Sequence, residues 1–131
     1  MAGFTDYLEG KVLDHVFGGT AYTAPSTLYV ALFTVSPGDD GTGGTEVSGG
    51  AYARQTATFT VSGSSPTVAQ NSAAIEYPTA TADYGTVVAC GIYDASSSGN
   101  LLAYANLTAS KVVSTGDIFR FNSSELDIEL A

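Results

Sequence analysis

The chain has little ionisable chemistry. One histidine (His15), one cysteine (Cys90) and no tryptophan occur in 131 residues, and Lys and Arg together number four. Most enzymes gather several ionisable groups with shifted pKa values in one cleft. Here such groups are few and nearly all carboxylates, which favours a protein that provides shape over one that transforms a substrate. A single cysteine cannot close an intrachain disulfide, so the expected fold does not depend on oxidation. Cys90 lies in the apolar run Val87-Val88-Ala89-Cys90-Gly91-Ile92, the setting of a buried, inert thiol. The four bases, Lys11, Arg54, Lys111 and Arg120, are scattered. Nucleic-acid binding needs them clustered, so no nucleic-acid partner is expected. No apolar run approaches the roughly 20 residues of a membrane span. Asp6, Glu9 and Asp14 in the first twenty residues do not fit a secretory signal. Synthesis in a cytoplasm, with no membrane partner, is the expectation.

What is present is polar without being charged. Hydrophobic residues make up 44 % of the chain but charged residues only 13 %, about half the usual share. Thr, Ser and Gly fill the difference, a composition suited to strands, tight turns and surfaces that other subunits cover. The net charge of −9 helps solubility at high copy number. The length predicts a single domain, residues 1–131.

The spacing predicts one helix, over about residues 5–17. Phe4, Leu8, Val12 and Val16 recur every four residues, with Tyr7, Leu13 and Phe17 widening the stripe. Thr5 or Asp6 can cap its start, Asp6 with Glu9 resembles a capping box, and Gly18-Gly19 supplies the stop. From Pro25 onward the pattern is β. Residues 27–35 form a run suited to burial on both faces, and 37–50 read as a loop. Residues 56–61 alternate, with Ala57, Phe59 and Val61 inward. Further strands are expected over 73–77, 86–93, 100–107, 118–121 and 126–130, with turns at 94–99 and 115–117. Short strands after a single helix predict a mainly β protein, an antiparallel β-sandwich or jelly-roll-like fold with one N-terminal α-helix.

Candidate sites are sparse. His15 lacks an evident catalytic partner, since the adjacent Asp14 faces elsewhere on a helix. Asp39-Asp40-Gly41 departs from the calcium-loop spacing, and no metal or cofactor is expected. Asp127 and Glu129 share a strand face and could serve glycoside hydrolysis at suitable separation. Charges guarding an edge strand explain them better. No phosphate-loop pattern accompanies the glycines. The eight tyrosines could form a sugar platform, although strand tyrosines usually pack in cores. The candidate docking residues are Phe4, Leu8, Val12, Val16 and Phe17. They are able either to close the protomer's own core or to seat it on a partner.

The order of motifs resembles a known family. The segments are Phe4-Thr5-Asp6-Tyr7-Leu8-Glu9, Leu13-Asp14-His15-Val16-Phe17-Gly18-Gly19, Tyr22-Thr23-Ala24-Pro25 and Leu28-Tyr29-Val30-Ala31-Leu32-Phe33-Thr34. After them come Glu46-Val47-Ser48-Gly49 with Tyr52-Ala53-Arg54, then Pro78 to Gly85, Gly91-Ile92-Tyr93-Asp94, Gly99-Asn100-Leu101-Leu102 and Gly116-Asp117. Together they resemble the small virion structural proteins of tailed phages usually labelled phage tail fibre protein. Tyr84 stands where that family has tryptophan. The resemblance implies a non-enzymatic bacteriophage structural subunit, made in the host cytoplasm and located in the virion. Its implied partners are itself, as a homo-oligomer with a trimer favoured, and other virion proteins. A capsid decoration (cement) protein and a glycan-binding receptor module are the alternative readings.

Overall fold

The structure is a computed structural model and describes residues 3–130. The elements run β1 (Gly3–Phe4), α1 (Asp6–Val16), β2 (Leu28–Val35), β3 (Thr45–Glu46), β4 (Gln55–Ala57), β5 (Phe59–Ser62), β6 (Thr67–Asn71), β7 (Ile75–Glu76), β8 (Gly85–Tyr93), β9 (Leu101–Val113), β10 (Arg120–Phe121) and β11 (Asp127–Leu130). The larger sheet has the order β1-β9-β8-β2-β3, with β4 also pairing with β2. A two-stranded sheet (β10-β7) and a three-stranded sheet (β11-β6-β5) account for the other strands among the described residues. Every strand pairing is antiparallel. The protein is mainly β with one helix and has a sandwich-like arrangement, as its sequence predicts.

The centre of the large sheet explains itself from the residues. Leu32 of β2 stands opposite Cys90 of β8, and Val30 opposite Ile92. All four are buried in the main core, where a fully buried Leu or Val contributes about 1.5–3 kcal/mol. The intervening Ala31, Phe33 and Ala89 form a second, smaller cluster, as strand alternation requires. Gly91 allows the close packing on that second face. A Cβ there would lie 2.7 Å from Leu101 Cδ1 and 2.9 Å from Phe33 Cε2, closer than carbon atoms pack.

Aromatic rings connect the layers. Tyr52 stacks on Tyr77 at 5.9 Å between centroids, Tyr77 meets Phe119 edge-on at 5.8 Å, and Phe119 meets Phe121 of β10 at 5.1 Å. These are favoured aromatic geometries. The Tyr77 hydroxyl donates to the Val30 carbonyl at 2.6 Å, so the ring between layers also bonds to the sheet it packs on.

Several expectations need correction. Ala57 and Phe59 pack against the core, but Val61 is 68 % exposed. The chain changes sheets at Thr58, between β4 and β5, and Thr60, Val61 and Ser62 all project past the core. The strand expected at 118–121 is only β10, and Ile118 is 53 % exposed. The strand expected at 100–107 runs on to Val113. Three strands, β1, β3 and β6, were not anticipated, because each is very short or rich in polar residues. Leu126 is buried and Ile128 packs against the core; the Leu130 side chain lies outside the described residues.

Candidate functional site

Two features stand out from the framework, a locked charge cluster and an outward helix face. The cluster centres on Arg54, whose side chain is 7 % exposed. Its Nε donates to Glu46 Oε2 at 2.9 Å and its Nη2 to Glu46 Oε1 at 2.8 Å, a paired geometry that suits guanidinium and carboxylate. Nη1 donates to the carbonyls of Ala95 and Ser98, at 2.9 and 2.8 Å. The guanidinium carbon lies 3.6 Å from the centroid of the Tyr93 ring, a cation–π contact. The Tyr52 hydroxyl donates to Glu46 at 2.7 Å and accepts the Leu32 N–H at 3.0 Å. Burial and the Glu46 carboxylate together push the Tyr52 phenol well above its ordinary pKa. The cluster thus ties β2, β3 and the turn before β9 together. Sequence reasoning missed it, since Arg54 reads there as an isolated base.

The second feature, α1, begins at Thr5. This fully buried residue accepts the Leu8 N–H at 3.5 Å and donates to the Leu101 carbonyl at 2.6 Å. Its backbone N–H donates to the Leu102 carbonyl at 2.9 Å, and that of Asp6 to the Asp39 carbonyl at 2.8 Å. Thr5 is therefore the cap. Three residues on from it stands Leu8, not Glu9, so the capping box expected from Asp6 and Glu9 does not form. At the far end, His15 Nδ1 accepts the Tyr22 N–H at 3.0 Å, which binds the following loop back onto the helix.

No residue of α1 is buried. Leu8 and Val12 are half-buried, whereas Val16 is 62 % and Phe17 82 % exposed. Phe4 belongs to β1, opposite Ala103. The candidate docking residues therefore do not form one stripe. A four-residue spacing drifts about 40° per step around a helix of 3.6 residues per turn. By Val16 the series has rotated to the outside, where Leu13, 59 % exposed, joins it. The outer face reads Asp6, Glu9, Leu13, Val16 and Phe17, at helical spacing.

The remaining candidates are occupied locally. Asp40 accepts from the Thr42 N–H at 3.0 Å and hydroxyl at 2.8 Å, and these bonds lower its pKa. Asp39 accepts from the Tyr104 hydroxyl. Asp127 lies on the edge strand β11 and accepts from Gln70 at 3.0 Å. Burial pushes the Cys90 thiol up to about 12. Tyr77 and Tyr84 are buried and the other six tyrosines half-buried. Asn71, fully buried, was also missed. Its amide donates to the carbonyls of Ala73 and Asn122 and accepts the Leu126 N–H, each at 2.9 Å. It thereby fastens the C-terminal segment to β6. Among the described residues no three His, Cys, Asp or Glu side chains converge. What the arrangement offers is contact area on a rigid support.

Compared with known protein families, the chain matches the model described as Gp80: Podophage GP4 fiber I protein gp80, over residues 3–129. No curated protein matches it.

Proposed function

The chain belongs to the Podophage GP4 fiber I protein gp80 family of phage fibre structural proteins, and from that premise we propose that it is a non-enzymatic exterior subunit of a tailed-phage virion, of the tail-fibre or appendage type. The observation that carries this reading is the outer face of α1. Leu13, Val16 and Phe17 are 59 %, 62 % and 82 % exposed on a helix held at both ends by hydrogen bonds. Apolar side chains on a rigid, outward element suit a surface that a neighbour covers. The interior supports the same role, because its charged and aromatic groups bond to one another and brace the framework.

Quantitative mass spectrometry of purified particles tests the proposal, together with electron microscopy of antibody-labelled virions. A few copies per particle with label on the tail is the expected result. Hundreds of copies with label over the head would replace it with the capsid decoration role. Absence of the chain from particles would overturn it.

A further inference from the structure

We infer that the outer face of α1 docks, head to tail, into a hollow beside Lys111 and Arg120 of a second copy of this chain. The inference goes beyond the proposed position on the virion and does not depend on it. Among the described residues seven large hydrophobic side chains are conspicuously exposed, and five fall in two patches. One patch is Leu13, Val16 and Phe17 on α1. The other is Val112, 70 % exposed, with Ile118, 53 % exposed. These two line a hollow of about 290 Å³ with Lys111, Arg120 and Asp117.

Charge selects the pairing. The outer face of α1 carries Asp6 and Glu9 and no base. Thirteen acids and four bases make the chain strongly acidic, so most of a second copy's surface repels that face. Two of the four bases cannot receive it. Arg54 is enclosed by Glu46 and two carbonyls, and Lys11 lies on α1 itself, over Tyr7. The other two, Lys111 and Arg120, line the same hollow. Arg120 shares its charge with Glu76 at 3.1 Å, and the Asp117 carboxylate accepts the Ser114 N–H. Among the described residues Lys111 makes no ion pair and is the main attractor.

Topology makes the contact intermolecular. Thr5 fixes α1 to the Leu101 end of β9, and the hollow lies at its Val113 end. The nine residues of β8 that pair along this length of β9 put roughly 27 Å between its two ends, and no residue of α1 lines the hollow, so one protomer's helix lies outside its own hollow. Unlike patches joined in this way make a heterologous interface, which closes as a ring or continues as a filament.

Sedimentation of the purified full chain tests the inference, with Phe17→Asp and Lys111→Glu variants whose circular dichroism and melting match the parent. The parent should self-associate at about 100 µM, where a micromolar contact is saturated. Each variant should weaken association at least about tenfold. An equimolar mixture of the two should form a heterodimer and stop there, because only one intact helix face and one intact hollow remain. Val16→Asp and Val112→Asp repeat the design should either first variant fold poorly. A monomeric parent overturns the inference. So does a Lys111→Glu variant that associates like the parent, the result expected of helix-to-helix pairing.

Discussion

The surroundings of Arg54 and the helix α1 use similar ingredients, carboxylates, a base and large apolar side chains, and arrive at opposite outcomes. Around Arg54 every guanidinium nitrogen has an acceptor and the side chain is 7 % exposed. On α1 no residue is buried, and the largest apolar group, Phe17, is 82 % exposed. The first region satisfies itself, while the second keeps its contact capacity for something outside the protomer. Among the described residues no buried side-chain nitrogen or oxygen lacks a hydrogen-bond partner, so the open capacity is apolar and lies at the surface.

The comparison breaks most sharply at Arg54. Arg54→Ala should cost about 3 kcal/mol in chemical denaturation, the scale of charge-assisted hydrogen bonds lost at a half-buried carboxylate. A loss below about 1 kcal/mol would make the cluster an ordinary surface ion pair.

Alkaline pH comes next. Burial raises the thiol of Cys90 to about 12 and the phenols of Tyr52 and Tyr77 well above 10.0. A raised folded pKa gives stability that is full below the unfolded value and is lost as pH climbs through the folded one. Stability should therefore begin to fall near pH 9. The loss should reach about 3 kcal/mol from the thiol alone by about pH 11.5. Melting curves against pH test this, and Cys90→Ala should remove the earliest part of the decline.

Thr5 anchors α1 to β9, and Thr5→Ala should cost about 1–2 kcal/mol, through the lost cap and the lost hydrogen bonds to β9. The smallest effect belongs to the helix face itself. Phe17→Ser should change the stability of the isolated protomer by no more than about 0.5 kcal/mol. A loss of several kcal/mol would mean that Phe17 serves the protomer's own core.

The legible parts of the fold were those with local causes. The helix could be placed from its period, from Thr5 and from Gly18-Gly19. β2 and β8 could be placed from unbroken apolar runs too short for a helix of their kind. β6 could not, since Thr67-Val68-Ala69-Gln70-Asn71 is half polar and is defined by pairing with β5 and β11. The Arg54 cluster was hidden because its partners stand 8, 41 and 44 residues away. The four-residue spacing drifts around the helix, so it divides the candidate docking residues: Phe4 falls in β1, Leu8 and Val12 lie half-buried on α1, and Val16 and Phe17 are exposed.

The claim beneath the account is that this chain works by fitting against its neighbours. Imaging the intact virion at side-chain resolution tests it most directly. The account predicts an exterior subunit in which Leu13, Val16 and Phe17 are covered by an adjacent chain and the Arg54 cluster is internal and unchanged. A particle in which that helix face stands open to solvent, with every contact made elsewhere, would contradict it.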